Sequence, residues 1–315
     1  MRTRCRFFRC SSLAALLAAT AFVAPLHAQE RQFPLKPASP EGRSVVPFME
    51  GWYENDDGSV TISFGYFNLN RDSVVQIPLG EANVIEPERF HGMQPTVFFP
   101  GRQHGVFGVR VPAEMRDVDV WWTLTSGNGE TARVPGRSSS EAYQLDRNPR
   151  PHGSLPPLIW FEDESRAAID PSGVVAGRTL TTRVGEPVLL EAHLRDPSER
   201  DPDDPRTRNG VEVRSIWFKH QGPGDVSYTR HPSMPEAPEP QGLQFGGLPG
   251  LIPPPTGPQQ ISLPTGQGTV RVYAAFSQPG DYVMRLHANN WGAPDSNQMD
   301  QCCWSNGFLR VRVAP

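Results

Sequence analysis

The residues with the most unusual chemistry lie near the C-terminus, in Gln301-Cys302-Cys303-Trp304. Neighbouring Cα atoms sit ~3.8 Å apart across a trans peptide, whereas a relaxed disulfide spans roughly 4.4–6.8 Å. A ring between Cys302 and Cys303 is therefore strained and easily reduced. In a loop the pair can close as a vicinal disulfide, a rigid apolar knob beside Trp291 and Trp304. On a regular strand the two thiols point to opposite faces and one packs as a small hydrophobe. Metal ligation and an intermolecular bridge are the remaining readings. Upstream, Arg195–Arg208 carries the five carboxylates Asp196, Glu199, Asp201, Asp203 and Asp204. Calcium takes six to eight oxygens, and Asn289, Asn290, Asp295 and Asp300 are further candidates if the two segments meet. Four arginines in the same stretch leave a net charge of about −1, and no spacing matches a known calcium loop. A solvated turn with local Arg–Asp pairs is the alternative, so the expectation is no bound metal, with calcium as the one cofactor left open.

Other catalytic chemistry has little support. The chain lacks a G-x-S-x-G elbow, an H-E-x-x-H pair, an S-x-x-K and a phosphate-binding glycine loop. Alternation points His193 and His287 away from the core on different sheets. His91, His104, His220 and His231 sit near Gly and Pro, where turns and solvent are expected. The adjacent aromatics Trp52-Tyr53 and Trp121-Trp122 fall on strands, so one of each pair faces away from its core. Trp52, Trp121 and Trp122 are thus candidate sugar-stacking or protein-anchoring surfaces. Cover by another part of the chain is the alternative.

These residues must be positioned by strands. No stretch of ten or more residues keeps a helical period. Val45–Phe67 reads as a hairpin around Asn55-Asp56-Asp57-Gly58, with Ile62, Phe64 and Tyr66 on one face and Thr61, Ser63 and Gly65 on the other. Further strands are expected over 73–78, 105–111, 118–125 and 130–134. The proline-rich segment 147–157 reads as a semi-rigid linker. Beyond it, Val188, Leu190, Ala192 and Leu194 alternate with polar residues, and 211–218, 269–276, 281–288 and 308–313 are strand-like. The tract 231–266, crowded with Pro and Gly, reads as a long irregular insertion. It is expected to cover Ile216 and Phe218, which point outward from their strand.

The fold class expected is therefore all-β, with two β-sandwich domains at 45–146 and 158–315. Val184-Gly185-Glu186-Pro187-Val188-Leu189-Leu190, the mid-strand Trp217, and Phe276-Ser277-Gln278-Pro279-Gly280-Asp281-Tyr282 resemble immunoglobulin-like sandwiches, including the PKD-like and cadherin-like kinds. The resemblance covers the C-terminal half. It departs in lacking cysteines that join the sheets and the aspartate-glycine signature of the PKD type. It implies strands B over 187–195, C over 211–219, F over 280–288 and G over 307–313. The B–C and F–G loops of that fold emerge at one end. It therefore implies that Asp196, Asp201, Asp203 and Asp204 lie beside Asn289, Asn290, Trp291, Asp295, Asp300 and Trp304. The whole chain also resembles exported proteobacterial proteins of unassigned function, which carries over no activity.

Composition bounds the rest. The 315 residues carry 30 Lys+Arg against 34 Asp+Glu with no basic stripe, which argues against nucleic acid. Arg2, Arg4, Arg6 and Arg9 precede a short apolar run ending at Leu26-His27-Ala28, the pattern of a secretory signal peptide over 1–28, with a polar leader over 29–44. A retained anchor is the alternative. Cleavage leaves 26 basic and 34 acidic side chains, hence net −8, with Cys302 and Cys303 the remaining cysteines and no membrane span. These observations predict a periplasmic or secreted, non-enzymatic protein that binds a protein partner. A carbohydrate-binding module or an enzyme with an interdomain site is the alternative.

Overall fold

The computed structural model describes residues 42–146, 154–168, 170–200, 203, 211–236, 257–290 and 303–315. The expected signal segment, nearly all of the leader and most of the linker lie outside these residues. The chain from Ser39 to Pro315 forms one compact unit.

Its first strands are β1 (Val45–Glu54) and β2 (Val60–Asn68), an antiparallel pair. The turn between them has Gly58 at φ +78°, a left-handed conformation natural to glycine, and closes when the Gly58 N–H donates to Asn55 O (2.9 Å). β3 (Val75–Gln76), β4 (Asn83–Glu86), β5 (Val97–Phe98), β6 (Gly101–Val111), β7 (Val120–Thr125) and β8 (Thr131–Gly136) follow. A sheet ordered β1-β2-β6 faces one ordered β4-β7-β8, and β3 pairs with β5. Ile62, Phe64 and Tyr66 point into the shared core with Phe98, Phe107 and Trp122, and Phe107 meets Trp122 edge to face at 4.9 Å. Alternation thus works as the sequence requires. The opposite face of β2 is not solvated, however, because Thr61, Ser63 and Gly65 are buried too.

The second sandwich comprises β9 (Leu158–Trp160), β10 (Val174–Arg183), β11 (Val188–Arg195), β12 (Val213–Gln221), β13 (Val226–Arg230), β14 (Gln260–Leu263), β15 (Gln267–Phe276), β16 (Gly280–Asn289) and β17 (Trp304–Ala314). One sheet runs β10-β17-β16-β12-β14 and the other β13-β15-β11-β9. β11, β12, β16 and β17 take the places of strands B, C, F and G, with B in one sheet and C, F and G in the other. Two further features belong to that fold. Trp217 on β12 is buried in the core, and Tyr282, at the start of β16, donates its hydroxyl back to Gln278 O (2.7 Å) across the corner after β15. β10 runs parallel to β17, an edge pairing that the sequence pattern did not announce.

One expectation is corrected. Part of the supposed irregular insertion is ordered: Gln260–Leu263 extends a sheet beside β12, and Met234 packs on the core. Residues 237–256 lie outside the described residues. Among the described residues it is Phe99 of the first sandwich that meets the Phe218 ring, at 5.3 Å. Strand alternation shows which residues leave a core. It cannot show which distant strand arrives to cover them.

Candidate functional site

The outward faces of β12, β16 and β17 carry Phe218, His220, Arg285, His287 and Asn306, and against the first sandwich all are buried except Phe218, which is half-buried. Arg285 Nη1 donates to Gly105 O (3.2 Å) and Val106 O (3.0 Å), and its guanidinium lies 4.7 Å from the Phe218 ring centre. Asn306 Nδ2 donates to Gly105 O (2.8 Å) and Pro171 O (2.9 Å). The Gly105 and Val106 acceptors lie where β6 carries a register shift opposite Phe64–Tyr66, with Gly105 at φ +54°. A second shift in β1 lies between Met49 and Gly51, and Glu50 there accepts a hydrogen bond from the Gly105 N–H. The Glu50 Oε1 lies 2.7 Å from His104 Nδ1. Further along, Gln221 Nε2 donates to Gly92 O and Gln94 O, and His220 Nε2 lies 2.8 Å from Met93 O.

Burial decides the charge states of this layer. Desolvation, assisted by the Arg285 cation, pushes His220 and His287 down to about 3, so both are neutral at pH 7. Desolvation lowers Arg285 to about 10, partly offset by Tyr66 and Glu50, and it stays charged. The layer joins the sandwiches. The expectation of solvent-exposed turns is corrected for His220, a buried residue of β12. His287 faces outward as expected, yet it is buried. Among the described residues no three His, Cys, Asp or Glu side chains form a group able to hold a metal ion.

At one end of the second sandwich the stems of the two suspected loops meet. Asp196 Oδ1 accepts from the Ser198 N–H (3.1 Å), the Ser198 hydroxyl (2.6 Å) and Asn290 Nδ2 (3.4 Å), while Oδ2 pairs with Arg200 at 2.5 Å. The chain leaving the linker joins them. Arg200 Nη2 donates to Ser154 Oγ (3.2 Å), the Leu155 N–H donates to Ser198 Oγ (2.8 Å), and Asn290 Nδ2 donates to Leu155 O (2.9 Å). Cys303 is buried and disulfide-bonded, with its sulfur 3.3 Å from Ser154 O. Its partner lies outside the described residues, as do Cys302, Asp201, Asp204, Trp291, Asp295 and Asp300. Asp203 is exposed and Asn289 is half-buried at the end of β16. Asp196 spends both oxygens on protein donors, so it acts as an organiser of the loop.

Several candidate aromatics are corrected. Trp304 is fully buried against Tyr53 and Leu145, where it packs over Gly105. Trp52 and Trp122 are buried as well, their indole N–H groups donating to Ser140 O (2.9 Å) and Asn83 Oδ1 (3.1 Å). Trp121 is half-buried beneath the guanidinium of Arg133, 4.1 Å from its ring centre. Register and the facing sheet, not strand alternation alone, decide which tryptophan is accessible.

The sequence reading missed Trp160. On the outer face of β13-β15-β11-β9 it lines an open groove of about 550 Å³ with Glu164, His193, Arg195, Gln267 and Thr269. Trp160 sits on the short edge strand β9 directly across from His193 on β11, and the two rings stack with centroids 5.4 Å apart. The groove adjoins the loop end, since Asp196 follows Arg195 and its N–H donates to Gly266 O (2.8 Å). Only pairing across the sheet reveals the site, although the outward direction of His193 was legible. A smaller crevice beside Arg110 and Asp170 measures about 340 Å³. There Asp170 accepts from the Ser172 N–H (2.7 Å) and the Thr61 hydroxyl (3.3 Å).

No family model matches the chain, and no curated protein matches it. Among solved structures it is similar to the ASH/PapD-like domain 7 of human CEP192, with 13% identity and a TM-score of 0.24 over 57% of this chain and 96% of that one. The D0-D1 domain of intimin is 10% identical, with a TM-score of 0.23 over 85% and 100%. The Yersinia pseudotuberculosis adhesin InvE is 7% identical, with a TM-score of 0.24 over 85% of this chain and 58% of that one. The sheet order and corner tyrosine described above define the class, an all-β protein with an immunoglobulin-like sandwich. No helix among the described residues is long and apolar enough to cross a membrane.

Proposed function

We propose that this is an exported, non-enzymatic binding protein whose partner, a protein or a glycan, meets the loop end of the C-terminal sandwich in the periplasm or at the cell surface. The observation that supports this best is the clamp at Asp196, Ser198, Arg200, Ser154 and Asn290, which ties three separate chain segments together beneath the two loops. Loops held at their stems lose less entropy on binding. The buried histidines serve the joint between sandwiches, and the motifs of nucleophilic catalysis are absent, so binding accounts for more of the molecule than turnover does. Removal of residues 1–28 would leave Cys302 as the other cysteine, so we assign the Cys303 disulfide to a 302–303 ring that stiffens the second loop.

Two measurements test the proposal. Intact mass of the exported chain, alkylated with and without reductant, is expected to show cleavage after Ala28 and two alkylations only after reduction. Labelled mature protein is expected to bind the envelope of its own cells saturably, and Asp196→Ala/Arg200→Ala is expected to weaken that binding about tenfold or more. Unchanged binding by the double variant would remove the loop end from the proposal.

A further inference from the structure

We propose that the groove at Trp160 binds the face of a neutral pyranose ring within an oligosaccharide. This rests on the binding function proposed above and names the ligand chemistry of the surface beside the loop end.

The chemistry of the lining carries the inference. Trp160 and His193 stack with ring planes only 21° apart, which holds Trp160 upright as a flat apolar wall of the groove. A hydrogen bond between His193 Nδ1 and Thr269 Oγ1 (2.9 Å) locks the imidazole into that stack. Ring C–H groups of a pyranose present an apolar face that packs on such a wall, while its equatorial hydroxyls need donors and acceptors at the edge. The edge supplies both. Glu164 and Arg195 pair at 2.5 Å across it, which cancels the charge and leaves carboxylate and guanidinium positions for hydroxyls. Cancelled charge disfavours a phosphate or a metal ion. The Gln267 amide and the Trp160 indole N–H make no hydrogen bond with the described residues, so each is available to a ligand.

An extended peptide is the competing ligand, and it would add to the outer edge of β9. That strand is three residues long, and its outer edge is already taken at Ile159, which exchanges both backbone hydrogen bonds with Ala168 (3.1 and 2.9 Å), so it offers little ladder for such an addition.

The test is binding of the full exported chain to an array of immobilised neutral glycans, followed by titration of hits in solution with indole fluorescence. The expected result is saturable binding near or below ~1 mM for at least one oligosaccharide, the range that one aromatic wall and a few hydrogen bonds support. Trp160→Ala should weaken it at least tenfold, Trp160→Phe about threefold, and Trp121→Ala not at all. No glycan bound, equal binding by Trp160→Ala, or binding of extended peptides only would each overturn the proposal. Thermal melts of each variant separate a lost wall from a lost fold. Envelope binding that survives Trp160→Ala while no glycan binds would reject the groove and leave the loop end standing. Glycan binding with no envelope binding would reject the loop-end reading instead.

Discussion

Arg285 shows how one side chain can set the terms for a whole joint. Its guanidinium is buried, donates to the carbonyls of Gly105 and Val106, and lies over Phe218. Truncation to Met removes one donor from each carbonyl, leaving Gly105 O only Asn306, and removes a cation that interacts with Glu50. Arg285→Met is therefore expected to lower unfolding free energy by about 2–4 kcal/mol in a urea titration, a loss typical of one partner removed from a buried polar set. Unchanged stability would mean that water replaces it. Tyr282→Phe removes only the corner hydrogen bond to Gln278 O and should cost about 1 kcal/mol, read as a lower melting temperature. The two residues differ in how much the sequence disclosed. Tyr282 stood in a Gln278–Tyr282 stretch that already resembled a turn between immunoglobulin strands. Arg285 offered no such sign, because a cation on the outward side of a strand reads as solvated until another sheet is placed on it.

At the scale of elements, β12 and β16 present opposite characters on their two faces. Trp217, Met284, Leu286 and Ala288 face the core, while His220 and His287 face the other sandwich. The docked state holds both imidazoles at about 3, against about 6.5 in an unfolded chain. The docked state thus binds fewer protons, and its stability is complete above about pH 6.5 and falls as pH drops from there toward 3. Each histidine removes about 1.4 kcal/mol per pH unit in that window, hence about 2 kcal/mol by pH 5. Arg285, His104 and Glu50 face the same layer, so acid adds positive charge beside an existing cation. Urea midpoints measured from pH 7 to pH 5 should fall accordingly. The His220→Asn/His287→Gln variant should flatten that dependence, and a flat wild-type profile would show that both imidazoles are hydrated. The direction of each side chain was legible from alternation on these strands. Their burial was not, since it requires β6 and the 92–99 segment to arrive from far earlier in the chain.

For the molecule as a whole, the joint argues for shared stability. The polar contacts of Gly105 with Asn306 and of Thr61 with Asp170, with Trp304 packed on Tyr53 and Leu145, cross between the sandwiches. Calorimetry of the mature chain should show one cooperative transition. Two transitions would mean that each sandwich melts by itself. By its own pattern the sequence determined the all-β class, the turn at Asn55–Gly58, the inward residues of β2, β11, β12 and β16, and the absence of familiar catalytic motifs. All of these depend on local periodicity and on residue types that a short segment carries with it. Tertiary structure alone decided that Trp52, Trp122 and Trp304 are buried, that His220 and His287 lie neutral within a joint, and that Trp160 meets His193 in an open groove. Those outcomes depend on which strands, distant in the chain, come to lie together. A side chain's solvation follows from that meeting rather than from its neighbours in sequence.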